Sequence, residues 1–145
     1  MKTLICMMGL PRSGKSTIAL QLANKLHAPI LSKDCIRLAL HGSRYISLAE
    51  PFIRAINIVM VRALFLAGHD VIVCDETHFS RYVRDSVKSK DWRTVFYEIK
   101  TPVEECKKRA MATSQEDLMS VIDSMHARYE PLGDDEERYE DRDLD

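Results

Sequence analysis

The chain alternates short, uninterrupted apolar runs with longer stretches in which apolar residues recur every three or four positions. LICMM at residues 4–8 and VIVC at 71–74 have no polar interruption, the pattern of strands buried on both faces of a parallel sheet. RTVFYEI at 93–99 reads as a further strand and PIL at 29–31 as a short one. Between them, Ile18, Ala19, Leu22, Ala23 and Leu26 mark the apolar face of one helix. Phe52, Ile56, Val59, Met60, Ala63 and Leu66 mark the core stripe of the longest. A last amphipathic helix opens at Ser114, carries Leu118, Val121, Ile122 and Met125 on one face, and runs out near Tyr129-Glu130-Pro131. Four strands alternating with helices predict a three-layer α/β fold around a parallel sheet.

The punctuation agrees with that order. Ser32 reads as the N-cap of a helix beginning KDCIR, and Gly68 as the C-terminal cap of the longest helix. Ser47 with Glu50, and Thr101 with Glu104, have capping-box spacing; Pro51 and Pro102 fall in first turns, where a missing N–H costs nothing. Ser80 can cap a helix carrying Arg81, Arg84, Lys88 and Lys90 as an interrupted basic surface, with a solvated face as the plain alternative. The apolar pattern stops after Leu132. The expectation is one domain over residues 1–131 and an acidic, disordered tail over 132–145.

Composition narrows the setting. The four cysteines, Cys6, Cys35, Cys74 and Cys106, are far apart with no C-x-x-C pair, which points to reduced thiols in an intracellular, cytoplasmic protein. Cys6 and Cys74 fall in apolar runs; Cys35, next to Asp34, is either a reactive thiol or a structural one. No apolar run approaches the roughly 20 residues of a membrane span. The net charge of −1 conceals an asymmetry. Residues 134–145 hold eight acids and two arginines, net −6, which leaves 14 acids and 19 bases, net +5, in the rest. A basic body suits a polyanionic ligand.

GLPRSGKS at 9–16 follows the first strand and opens the first helix. It fits the Walker A pattern G-x-x-x-x-G-K-[ST], in which glycines let backbone N–H groups curve around phosphate oxygens. Gly9, Pro11, Arg12, Ser13, Gly14, Lys15, Ser16 and Thr17 are the candidate nucleotide contacts. Lys15 would reach the β- and γ-phosphates and the Ser16 hydroxyl would ligate Mg²⁺, beside a helix N-terminus that favours negative charge. The strand at 71–74 closes on Asp75-Glu76, an acid turn of the kind that serves the magnesium shell; either carboxylate has the position for it. Asp34 and Arg37 share a face at the strand edge where open α/β sheets bind ligands. Arg109, on a later helix, is either a lid arginine or a cation near a helix C-terminus. His78 and Phe79 stand on the same edge, placed for stacking or phosphate contact.

The Gly-x-Pro-x-Ser-Gly-Lys-Ser loop at 9–16, the polar-basic-Asp-x-x-Arg helix start at 32–37 and the acid-Thr-His-Phe turn at 76–79 together resemble the small phosphate-loop kinases. The nearest resemblance, over residues 1–131, is to the 5′-hydroxyl kinase domain of phage polynucleotide kinase. It implies Mg²⁺-dependent transfer of the γ-phosphoryl group of ATP to a 5′-hydroxyl end of DNA or RNA, in nucleic-acid repair and with a phage-encoded origin. It also implies Asp34 as the general base, Arg37 as the contact to the acceptor strand's phosphate and Arg109 as the first lid arginine. A second basic lid residue is missing at Met111-Ala112-Thr113. Fold does not choose the acceptor, so kinases of a nucleoside, sugar acid or nucleotide sugar are the rival reading. A nucleotide-dependent binding switch is the other.

Overall fold

The computed structural model describes residues 1–140. Its centre is a five-stranded, all-parallel sheet in the order β2-β3-β1-β4-β5, one strand more than the sequence predicts. The strands are β1 (Thr3–Met8), β2 (Ile30–Ser32), β3 (Val71–Asp75), β4 (Arg93–Glu98) and β5 (Glu137–Arg138). The helices are α1 (Lys15–Leu26), α2 (Lys33–His41), α3 (Glu50–Leu66), α4 (Arg81–Asp85), α5 (Val103–Ala112) and α6 (Leu118–Ala127). β1 is central, pairing with β3 from Thr3 opposite Val71 and with β4 from Thr3 opposite Arg93. All six of its residues are buried, which is why its sequence does not alternate.

Alternate β1 residues serve two cores. Ile5 and Met7, with Val73 and Val95, pack under Ala19, Leu22 and Ala23 of α1. Leu4, Cys6 and Met8, with Ile72, Cys74 and Phe96, face Val61 and Phe65 of α3, Cys106 and Ala110 of α5 and Ile122 of α6. Ser32 caps α2 by accepting from the Cys35 N–H at 3.3 Å, and Ser80 caps α4 through the Val83 N–H at 3.3 Å. Among the described residues no helix is long and apolar enough to cross a membrane.

Several expectations are corrected. The core stripe of α3 is Ile53, Asn57, Val61 and Phe65, whereas Phe52, Val59, Met60 and Leu66 are 36–82% exposed. Apolar residues lie on both faces of the helix and Asn57 on the buried one, so periodicity alone does not select the buried face. Neither capping box forms. Ser47 lies in a 3₁₀ turn and Glu50 points inward, while the Thr101 hydroxyl donates to the Ser13 carbonyl at 2.7 Å. Ser114 has φ +56° and caps nothing, since α6 begins at Leu118, and Val121 is 38% exposed.

The tail is ordered as far as it is described. Glu137 and Arg138 add β5 to the sheet edge, and Tyr139 is 6% exposed, stacked on Tyr97 with ring centroids 5.2 Å apart. Acidic composition misleads here because the acids meet cations. The Glu136 side chain, shut off from solvent, accepts from Arg84 at 2.9 and 3.1 Å and from Lys88 at 2.8 Å; Asp135 pairs with Arg81 and Glu137 with Arg93. The basic surface expected around α4 is therefore neutralised by the chain's own C-terminal segment. Residues 141–145, the rest of the expected tail, lie outside the described residues.

Candidate active site

The loop between β1 and α1 is built by backbone constraint. At Gly9 a Cβ would come within 2.7 Å of Ser13 Oγ, and Gly14 has φ +92°, so both positions need glycine. Arg12 is left-handed too, at φ +67°, and its side chain is exposed. The Ser13 N–H donates to the Leu10 carbonyl at 3.1 Å, which closes the turn. Gly14 leads into α1, whose first residues, Lys15, Ser16 and Thr17, stand at the open edge of the sheet with Ser16 and Thr17 exposed. Pro11, half-buried, continues the loop from the buried Leu10.

β3 delivers the acid turn to the same edge, and the two acids part company. Asp75 faces the loop, with Oδ1 3.5 Å from Lys15 Nζ. Glu76 turns to α2, 3.7 Å from Arg37 Nη1, and accepts from the Thr77 N–H at 3.2 Å. Burial works against the Glu76 charge, yet Lys33, Arg37, His78 and that N–H together hold its carboxyl below the ordinary value. Arg37 is the hub. Glu50, reaching in from the start of α3, takes its Nε at 2.9 Å and Nη2 at 2.7 Å, and Asp34 takes Nη1 at 2.7 Å. These carboxylates outweigh desolvation and raise the arginine's pKa further. Asp34 itself is 69% exposed. The acid turn thus serves two charged groups at one edge, the Lys15–Asp75 pair on the loop side and Glu76, Arg37, Glu50 and Asp34 on the α2 side, the last an open carboxylate.

Arg109 closes over the loop from α5. Its Nη1 donates to the Arg12 carbonyl at 3.2 Å and lies 3.8 Å from where a Gly14 Cβ would be; Glu105 holds its Nε at 3.1 Å. His78 and Phe79 do not line the site. His78 is fully buried with Nδ1 2.7 Å from the Met7 carbonyl oxygen, and Phe79 packs edge-on to Tyr129, because the β3 turn folds both under the sheet edge. Glu50 is the site residue that sequence reasoning missed. Its position three after Ser47 imitates a capping box, and no local pattern announces a partner thirteen residues upstream.

Two buried oxygens here, Ser13 Oγ and Asp75 Oδ1, have no hydrogen-bond donor. Among the described residues no three His, Cys, Asp or Glu side chains gather as a metal cage. The Asp75 oxygen has the Lys15 ammonium at 3.5 Å but accepts no hydrogen bond, and with the exposed Ser16 in the first turn of α1 it suits an ion that takes its remaining ligands from phosphate and water. The residues present fit the group.

A family model described as an AAA domain matches residues 4–132. The chain belongs to this family. Solved structures similar to this AAA-domain chain share its fold at low identity. One is in the Pnkp1/Rnl/Hen1 RNA repair complex, at 22% identity and a TM-score of 0.65, covering 89% of this chain and 46% of that one. The AAA-domain chain thus spans less than half of that protein. A gluconokinase from Sinorhizobium meliloti 1021 matches at 18% identity and 0.69, covering 94% and 80%. The Mycobacterium tuberculosis APS kinase CysC, in complex with AMPPNP and APS, matches at 19% and 0.65, covering 92% and 84%. No curated protein matches the sequence. The shared architecture is the phosphate-loop kinase fold: a parallel sheet, flanked by helices, with the loop after β1.

Proposed function

We propose that this protein is a polynucleotide 5′-hydroxyl kinase that transfers the γ-phosphoryl group of ATP to a 5′-OH end of DNA or RNA. The observation that carries the reading is Asp34: an exposed carboxylate, held 2.7 Å from a buried arginine, at the sheet edge that also carries the Lys15–Asp75 pair. A pure nucleotide switch has no use for such a base. Asp34 accepts the proton of the attacking hydroxyl. The hydroxyl oxygen bonds to the γ-phosphorus as the bond to the bridging oxygen breaks, and ADP leaves with the charge. The loop N–H groups, Lys15 and Arg109 stabilise that charge, and Gly9, Pro11, Arg12, Ser13, Gly14 and Thr17 shape the nucleotide cradle. Ser16 and Asp75 would hold Mg²⁺, which supplies charge neutralisation at the phosphates. Glu76, turned to Arg37, orients the acceptor side instead.

A small-molecule alcohol acceptor is the second reading. It is favoured by the enclosure of Arg37, whose Nε edge is taken up by Glu50 and so offers fewer donors to an acceptor phosphate. The similarity to gluconokinase and APS kinase folds is compatible with it.

The test is transfer of γ-labelled phosphate from Mg²⁺-ATP to 5′-hydroxyl DNA and RNA oligonucleotides beside a nucleoside and sugar panel. Label on an oligonucleotide 5′ end, lost in Asp34→Ala, is the expected result. Label only on a small metabolite would replace the acceptor and keep the base. ATP binding with no label on any acceptor would sink the polynucleotide kinase reading and leave a switch or an acceptor outside the panel.

A further inference from the structure

Three lysine and arginine side chains are buried among the described residues, and one of them has no partner. Arg37 and Arg84 are each held by a carboxylate oxygen at 2.9 Å or less. Lys33, 2% exposed, makes no hydrogen bond and no ion pair with any described residue. Its nitrogen is not among the polar atoms sealed from solvent, so the packed side chain opens at its ammonium end. Ser32 pairs opposite Asp75 in the β2–β3 ladder, which sets Lys33, the first residue of α2, level with Glu76 at the open edge of the sheet. Against the burial of Glu76, Lys33 leads the charges that lower its carboxyl, ahead of Arg37 at 3.7 Å. An ammonium taken out of water without a partner is costly, and it carries three donors and no acceptor. An oxygen from a ligand completes it, and charge complementarity favours an anionic one.

We propose that Lys33 holds the anionic group of the acceptor, which in a polynucleotide is the phosphate on the 3′ side of the sugar bearing the reactive hydroxyl. The assignment rests on the kinase reading and takes over a role that the resemblance gives to Arg37. Arg37 has no free edge. Glu50 takes its Nε and Nη2 and Asp34 its Nη1, so an anion placed there would meet three carboxylates, Glu76 included. At Lys33 no carboxylate of a described residue stands within ion-pair distance. Lys33 and Asp34 are consecutive at the start of α2 but diverge, Lys33 inward and Asp34, 69% exposed, to solvent. An acceptor that meets both therefore carries its anion several bonds from its hydroxyl, as a nucleotide does between its 5′-hydroxyl and its 3′-phosphate. Lys15 and Arg109, the cations of the ATP side, stand instead on α1 and α5. A sugar acid offers the same arrangement with a carboxylate, so experiment has to separate the two sources.

The test is calorimetric titration of the full chain, saturated with Mg²⁺ and a non-hydrolysable ATP analogue, with two pairs of probes: adenosine 3′-monophosphate against adenosine, and gluconate against glucose. The wild type should bind adenosine 3′-monophosphate about tenfold tighter than adenosine or better, the size of one charge-assisted contact. Lys33→Met keeps the length of the stem. It should erase that advantage, leave adenosine binding unchanged and not lower the melting temperature, since it removes an unpaired buried charge. Lys33→Arg should restore part of the advantage. Should the Met variant not fold, Lys33→Gln carries the same test. Equal or undetectable binding within both pairs, or a preference that survives loss of the lysine charge, would overturn the proposal. A lysine-dependent preference in the gluconate pair only would support Lys33 as the anion contact and overturn the polynucleotide acceptor. The same preference with no phosphoryl transfer from ATP to any probe would support the contact and sink the kinase reading it rests on.

Discussion

Arg37 and Arg84 are both buried arginines gripped by carboxylates, and they differ in charge balance. Around Arg84 the count is even: Arg81, Arg84 and Lys88 face Asp85, Asp135 and Glu136. The remaining donors of Arg84 go to the carbonyls of His78, Phe79 and Pro131, so the group is neutral, satisfied and closed. Arg37 by contrast, even with the buried Lys33 acting on Glu76, stands against three carboxylates, Asp34, Glu50 and Glu76, which leaves one negative charge in surplus, and the outermost is open to solvent. A balanced cluster needs nothing further and fastens the chain to itself. An unbalanced one, with its surplus negative charge beside a phosphate loop, is completed by a proton, a cation or a substrate.

The sharpest way to break that comparison is to open the closed cluster. Glu136→Ala leaves Arg84 buried without its carboxylate, an outcome worth about 3–5 kcal/mol of stability. Thermal melting should fall by on the order of 10 °C, while the folded fraction keeps its transfer activity. Acid should reproduce part of the effect. Burial alone would raise the Glu136 pKa, but Arg84, Lys88 and the Gly133 N–H hold it down at about 2 against an ordinary 4.5. The unfolded chain therefore binds the extra proton between those values. The contribution is complete above about pH 4.5 and is lost as the pH falls through about 2, which melting curves across that window will show. A pH-independent Tm there would contradict the closed-cluster account.

The mirror experiment is Asp34→Ala. It should lower transfer at least 100-fold, about 3 kcal/mol of transition-state stabilisation, and leave both the melting temperature and ATP binding nearly as they are. Lys15→Ala should cost as much in transfer and weaken ATP binding as well, because Lys15 belongs to the loop and Asp34 to the acceptor side. Glu50→Gln falls between the clusters. It keeps the shape around Arg37 and removes one charge, so about a tenfold loss is expected, read in the KM of the acceptor with ATP binding unchanged.

What the chain announces in advance follows the same division. The β1-loop-α1 unit is set by local backbone demands, namely Gly9 for close approach, Gly14 for φ +92° and an unbroken apolar strand, so pattern alone exposes it. β2, β3 and β4 are legible for the same reason. The grip of Glu50 on Arg37 and that of Glu136 on Arg84 join residues 13 and 52 apart, and no periodic signal records them. Each was disguised by a local reading, a capping box in one case and a disordered acidic tail in the other. The choice between the two faces of α3 was illegible for a different reason, because both carry apolar residues and only the position of the sheet tells them apart.

The smallest predicted effect is at Asp135, next to Glu136 in sequence. It also pairs with an arginine, through two hydrogen bonds to Arg81, and its carboxyl is likewise lowered to about 2, chiefly by that arginine. Geometry gives no reason to rank it below Glu136; solvent does. Asp135 is 66% exposed and Arg81 37%, so water and salt replace most of what either loses, whereas Glu136 and Arg84 have no access to either. Asp135→Asn should therefore shift the melting temperature by no more than about 2 °C, and added salt should erase the shift. A change as large as that of Glu136→Ala would mean that the two neighbours act as one unit and that the boundary of the closed cluster extends to the surface.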